Sequence, residues 1–263
     1  MSLRINSDFN GVTDPDAGAY IAAVEAADGN QLLEFAVGKA INDFVVGCKA
    51  DGIWNAIKAS CILAGARTLS GALVPLAGTA PTNFNFVSGD YNRKTGLVGD
   101  GSTKYLNSNR AQNSDPQDNT HIGIYASTAA IPGPGQYPIY IGAGNGTGAF
   151  HIGRLENNGQ VFIRCRSLGN DNFSPGGATG LIGATRQQSS SYIVRISGAN
   201  TTTTRSSDGA ISTTTAIFAN NVGSISGYSN ARLAFYSIGE SLDLAKLDAR
   251  VTALINAFGA AIP

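Results

Sequence analysis

The spacing of turn residues between Asn83 and Ser237 restricts this chain more than any other feature. Gly, Asn, Asp, Ser and Pro interrupt short runs rich in β-branched, aromatic and aliphatic residues. Candidate strands lie near 84–87, 94–98, 103–106, 120–127, 137–142, 148–155, 160–166, 179–185, 191–197, 200–204, 212–218 and 231–238. Asn157-Asn158-Gly159 falls between two of them, and Asn and Gly accept the positive φ of a tight hairpin turn. Pro132 to Gly135, Gly142 to Gly148 (GAGNGTG) and Gly169 to Gly180 read as loops. Many short strands joined by such turns point to a β-sandwich or a barrel.

Composition supports this pattern. Charged residues make up 14% of the chain, against about 25% in an average globular domain. Gly, Ser, Thr and Asn fill the difference, which suits turns. Hydrophobic residues at 43% are too many for a disordered chain, and 263 residues are ample for a sizeable core.

Helical periodicity is confined to the two ends. Asp14-Pro15-Asp16 is a helix start, with Asp14 as cap, Pro15 in the first turn and Asp16 facing the dipole. Tyr20, Ile21 and Val24 give that helix an apolar face, and Asp28-Gly29-Asn30 ends it. Leu32, Leu33, Val37, Ala40, Ile41, Phe44 and Val45 predict a second helix near 31–47. Asp51 is a cap for a third, carrying Ile53, Trp54, Ile57 and Cys61 and stopped by Gly65. Residues 68–84, with Leu69, Leu73, Val74 and Leu76, read as a connector that packs on something, a free hinge being the alternative. The expected organisation is a helical segment and connector over 1–82 and a β-sandwich domain over 83–263.

The chain closes on a strand that runs into a helix. Leu233 to Ile238 form a buried strand, and Gly239 breaks it. Ser241 is placed to cap a helix in which Leu244, Leu247, Val251, Leu254 and Phe258 share one face. Gly259 reads as its stop. The stripe fits either packing on the chain's own sheet or the seam of a short coiled coil.

Eighteen basic and 18 acidic side chains cancel, and no surface for nucleic acid is indicated. Arg154, Arg164, Arg166, Arg186, Arg195, Arg205 and Arg232 read as solvated surface. Cys48, Cys61 and Cys165 are odd in number and lack CxxC spacing, so neither a disulfide framework nor a zinc site is expected. Cys48 and Cys61 read as buried residues on helices. No apolar run reaches 18 residues, so no membrane span is expected. The start, MSLRINSDFNG, has no apolar signal-peptide centre, so synthesis in a cytoplasm without a secretion signal is expected.

Sequence chemistry is sparse. His121 and His151 lie at strand starts without metal-ligand spacing and read as structural. There is no GxSxG elbow. GAGNGTG lacks the GxGxxG pattern and the βαβ context of a dinucleotide loop, and Arg93-Lys94-Thr95 lacks the glycine frame of a P-loop. Asp90, Asp100, Asp115, Asp118 and Asp171 fall near turns. Glycoside cleavage would require two of them to converge, and calcium binding several; turn formation is the ordinary role. Neither cofactor nor metal is expected. Tyr137, Tyr140, Phe173, Tyr192 and Tyr228 flank loops, where rings can stack on sugars or fill a core. Tyr137, Tyr140, Phe173 and Tyr228 are the candidate glycan contacts.

The segment Phe86 to Asn109, with its turn Val98-Gly99-Asp100-Gly101-Ser102-Thr103-Lys104-Tyr105-Leu106, resembles the opening strands of laminin-G-like or concanavalin A-like sandwiches. The whole chain resembles bacteriophage and prophage virion proteins through GCKADGIW (47–54), ASCILAGARTL (59–69), GDYNRKTGL (89–97) and FYSIGESLDLA (235–245). These resemblances imply a mainly β jelly-roll sandwich with an N-terminal helical segment and a C-terminal helix. They also imply a structural, tail-associated place in a virion, hence oligomerisation, other virion proteins as partners, and adhesion to a host-surface glycan without catalysis. A tailspike-like polysaccharide-degrading enzyme and a capsid decoration protein are the alternatives.

Overall fold

A computed structural model describes residues 11–156, 159–174 and 179–263 of the chain. Two antiparallel sheets face each other. Across the first sheet the order is β13 (Ala199–Thr204), β12 (Ser191–Ile196), β11 (Gly180–Gln188), β6 (Thr120–Thr128), β17 (Arg232–Gly239), β4 (Gly96–Val98) and β3 (Tyr91–Asn92). β1 (Ile57–Ile62) pairs with the latter part of β17, on the edge whose start is taken by β4. The second sheet runs β10 (Asp171–Phe173), β9 (Val161–Cys165), β8 (Phe150–Arg154), β7 (Ile139–Ala143), β14 (Thr214–Ile217), β5 (Tyr105–Ala111) and β2 (Thr82–Phe84). Short β15 (Asn220–Asn221) and β16 (Ile225–Ser226) pair with each other, and β15 bridges to β7.

Strand alternation sends Ile122, Ile124, Ile182 and Leu233 of the first sheet inward. There they form one core with Ile141, Ile152, Ile163 and Ile217 of the second. A mainly β sandwich is the fold, as the turn spacing implied. Residues 157 and 158 of the expected Asn157-Asn158-Gly159 turn lie outside the described residues, but β8 and β9 on either side do pair antiparallel. The expected loop 169–180 contains β10, and 175–178 of it lie outside the described residues.

Helices cover the outer face of the first sheet. α1 (Pro15–Ala27), α2 (Phe35–Ala50), the single turn α3 (Leu69–Ala72) and α4 (Leu244–Ala261) build a second apolar core with Leu181, Ala234 and Phe235. Phe44 of α2 meets Phe235 edge-on at 5.9 Å between ring centres. The α4 stripe of Leu244, Leu247, Val251, Leu254 and Phe258 is buried in this core, so it packs on the chain's own sheet rather than forming a coiled-coil seam. One strand glycine makes room for it: a Cβ on Gly183 would lie 2.9 Å from Leu244.

Several local expectations are corrected. The third helix is a strand: after a turn at Trp54–Ala56, residues 57–62 pair with β17. Ile57, Ala59 and Cys61 fit a two-residue period as well as Ile53, Ile57 and Cys61 fit a helical one. Pairing with the buried β17 decides between them. Cys61 is therefore a strand residue, while Cys48 does lie on α2, and both are buried. α2 begins at Phe35, later than the apolar pattern suggested. Gly259 lies inside α4, which continues to Ala261.

Ser241 does not cap α4. Its backbone N–H and hydroxyl both donate to Asn119 Oδ1, tying the helix approach to the loop before β6. Asp243 caps instead, accepting from the N–H groups of Ala245 and Lys246 at 2.8 and 3.3 Å. Asp243→Ala should therefore cost about 1 kcal/mol of stability, the usual worth of such a cap. Urea unfolding of the two proteins measures this; an unchanged midpoint would contradict the assignment.

Two arginines read as surface residues are fully buried. Arg166 donates to the carbonyls of Gln112, Asp115 and Pro116, and its guanidinium lies 5.7 Å from the centre of the Phe150 ring. Arg186 of β11 donates through Nε to Cys165 O at the end of β9, so one side chain links the two sheets. Its Nη1 is ringed by the carbonyls of Gln188, Ser189, Ser191 and Arg205 at 3.1–3.3 Å.

Candidate functional site

No described helix covers the outer face of the second sheet, and there it carries a cleft of about 620 Å³. Register builds its floor. Gly142, His151 and Arg164 pair across β7, β8 and β9 in one row, and Ile139, Gly153 and Phe162 pair in the next. A glycine in each row creates depth. A Cβ on Gly153 would sit 2.4 Å from Phe162 Cζ and 2.6 Å from Ile139 Cδ1, so those two side chains lie over it. A Cβ on Gly142 would sit 2.7 Å from Asn220 Oδ1, so the amide of Asn220 occupies that space.

The walls come from loops. Gln136 and Tyr137 precede β7, Asn145 follows it, Asn170 precedes β10, and Tyr228 follows β16. The Ile139 N–H donates to Gly227 O at 2.8 Å, which holds Tyr228 on the Tyr137 side of the cleft. Tyr137 is 54% exposed and offers a free ring face. From Tyr228 an aromatic row leads outward: Tyr105 stands edge-on to it at 6.3 Å, and exposed Phe84 stacks on Tyr105 at 4.3 Å.

Hydrogen bonds stiffen the polar floor. Asn170 Oδ1 accepts from Arg164 Nε at 2.6 Å and lies 3.2 Å from His151 Nε2. Arg164 Nη1 donates to Asn145 O at 2.7 Å. Asn220 Nδ2 donates to Gly144 O, while its buried Oδ1 has no partner among the described residues. Burial pushes His151 down to about 4, and its contacts with Asn170 and the Gly144 backbone only partly offset this. The imidazole is therefore neutral at pH 7 and edge-on to Phe162 at 5.4 Å.

No family model matches the chain, and no curated protein sequence matches it. Among solved structures, the chain is similar to the binding domain of botulinum neurotoxin DC in complex with SialylT. The two are 13% identical with a TM-score of 0.47, over 78% of this chain and 52% of that one. It is also similar to the CBM40 of Ruminococcus gnavus IT-sialidase bound to alpha2,3 sialyllactose, at 13% identity and a TM-score of 0.39, over 51% of this chain and 82% of that one. A NanB sialidase variant from Streptococcus pneumoniae is 11% identical with a TM-score of 0.41, over 58% of this chain and 26% of that one. The chain thus spans about half the length of the first of these.

Of the aromatic candidates, the structure brings Tyr137 and Tyr228 together at the cleft. Tyr140 is a correction. Its ring is fully buried between the sheets and its hydroxyl accepts from the Ala130 N–H, so it reaches no ligand. Phe173 is half-buried against the inter-sheet core and does not line the cleft. Tyr192 is buried, with its hydroxyl donating to Asp171 at 2.6 Å. Arg164, Asn145, Asn170, His151 and Asn220 were not among the expected contacts.

The aspartates serve local structure. Asp90 pairs with Lys104, Asp115 with Arg110 and Asp171 with Arg205. Asp100 accepts from the Thr103 hydroxyl and from the N–H groups of Thr103, Ser102 and Lys104, which together outweigh its burial and hold its carboxyl well below the usual range. Asp118 also lies away from the cleft, whose described lining contains no carboxylate. His121 contacts Glu240 O through Nδ1 and Ser237 Oγ through Nε2, at 2.5 and 2.7 Å. Both side chains are fully buried, so this Ser–His pair meets no substrate.

Proposed function

We propose that this chain is a glycan-binding adhesion module that holds a host-surface saccharide in the cleft of the second sheet without cutting it. The observation that carries the reading is the pairing of aromatic walls with an amide-lined floor. Tyrosine faces suit the apolar faces of sugar rings, and fixed amides suit their hydroxyls. A cleft of about 620 Å³ is the size of a small-ligand site. Hydrolysis by the usual pair of carboxylates has no support from the described lining.

The setting we propose, a virion of which this chain is a structural, tail-associated part in several copies, rests on the sequence segments that resemble phage proteins. Multiple copies would convert weak single-site binding into firm attachment.

A glycan array carrying bacterial surface polysaccharides tests the binding. Retention of a defined set of glycans is expected, and Tyr137→Ala and Tyr228→Ala should each weaken it about tenfold by removing a stacking face. Chromatography of the retained glycans should show unchanged length. Failure to retain any glycan, or shortening of the chains, would contradict the proposal.

A further inference from the structure

We propose that the cleft selects a saccharide bearing a carboxylate, and that Arg164 is the residue that selects it. This rests on the glycan-binding reading and adds the class of sugar. Arg164 projects from β9 into the cleft beside His151, its cross-strand partner. Among the described residues, its hydrogen bonds go only to neutral oxygens, those of Asn170, Asn145 and Gly146. These fix the plane of the guanidinium, and no described residue accepts from Nη2.

Six of the ten other described arginines have a carboxylate on their head groups, and the other four, Arg154, Arg166, Arg186 and Arg232, donate to backbone carbonyls away from the cleft. Arg67 and Arg93 meet Glu34, Arg110 meets Asp115, Arg195 meets Asp248, Arg205 meets Asp171 and Arg250 meets Asp51. Arg164 forms no ion pair with a described carboxylate, and no Asp or Glu is among the described residues lining the cleft. His151 adds no charge at neutral pH. Among its described lining residues, the cleft thus presents one positive charge, half-buried and without a carboxylate partner. Burial and the like charge of Arg205 both disfavour the Arg164 cation. A half-buried charge without a counter-ion is costly, and a bound carboxylate would supply the missing partner. A guanidinium held in a fixed plane also matches a carboxylate's geometry better than a free lysine would.

The test uses the full chain and two matched probe pairs: sialyllactose against lactose, and oligogalacturonate against its carboxyl-reduced form. Titration calorimetry should show at least one acidic member binding about tenfold or more tighter than its neutral counterpart, as a charge-assisted contact implies. Arg164→Gln should abolish that difference, weakening the acidic member about tenfold more than its neutral counterpart. Arg164→Lys, which keeps the charge, should retain part of it. Thermal unfolding of both variants confirms that they are folded. Equal affinity within both pairs, or a preference that survives Arg164→Gln, would overturn the inference and leave the glycan-binding reading standing. Absence of binding to these probes, with only neutral glycans retained on the array, would overturn the inference alone; absence of binding to the probes and to every glycan on the array would overturn both.

Discussion

Arg186→Met should remove about 4 kcal/mol or more of stability, as breaking a buried charged network does. Methionine fills much of the same volume, so the loss reports hydrogen bonding rather than a cavity. The carbonyls of Cys165, Gln188, Ser189, Ser191 and Arg205 would lose their shared donor group. The bonds to Cys165 and Ser191 are buried, and each buried carbonyl left unpaired costs about 1–3 kcal/mol. The effect should exceed that of a lost pair at the surface because Cys165 belongs to the second sheet and Arg186 to the first. The Tyr192 ring, 5.2 Å from the guanidinium carbon, would lose its cationic neighbour as well. Urea unfolding is the measurement, with Lys39→Met as the control, since Lys39 pairs with Asp43 in the open and should matter by less than about 0.5 kcal/mol. A midpoint for Arg186→Met close to the control's would contradict the role assigned to this side chain.

Acid should weaken the fold well before its carboxylates titrate. Burial pushes both His121 and His151 from 6.5 down to about 4. Their neutral forms are thus favoured when folded, and the unfolded chain takes up protons first as pH falls. Stability is unaffected above the unfolded value and is lost between about pH 6.5 and pH 4, by on the order of 3 kcal/mol for each histidine. The carboxyls of Asp14, Glu34 and Asp51 are held low by Lys49, Arg93 and Arg250, against the effect of burial. They contribute stability that is lost only below their own unfolded range, near 4.5 for Glu34 and 3.8 for the aspartates. The window from pH 6.5 to 4.5 therefore belongs to the histidines. Comparing urea midpoints at pH 7.5 and 4.5 isolates them. His121→Gln and His151→Gln should each roughly halve the fall between the two pH values, whatever they cost at pH 7.5. A fall of the same size in both variants would show that these imidazoles are not the source.

Much of the sandwich is legible in the sequence because its turns are chemically marked. Asn and Gly punctuate strands whose residues alternate, and the strands expected near 120–127, 160–166, 191–197 and 231–238 lie within about two residues of β6, β9, β12 and β17. Residues 53–61 were misread because two periods fit them, and only the partner strand β17 separates the two. The buried arginines were misread for a related reason. Nothing local tells Arg186, whose acceptors are backbone carbonyls brought in by folding, from Arg195, whose partner is a carboxylate on α4.

The cleft was legible in part. Tyr137 and Tyr228 stood out as loop aromatics, but Tyr140 has the same local signature and points inward. Arg164 was readable in principle. A hairpin between the strands expected at 148–155 and 160–166 sets His151 opposite Arg164, on the face left polar by alternation. What the sequence could not disclose is that no described carboxylate stands around that arginine, because the walls come from segments far apart in the chain.

The most direct test of the central claim is a crystal structure of the chain with a glycan retained on the array. The sugar is expected between Tyr137 and Tyr228, over Asn220 and Arg164. A glycan bound on the helical face, or anywhere else with this cleft left empty, would contradict the account.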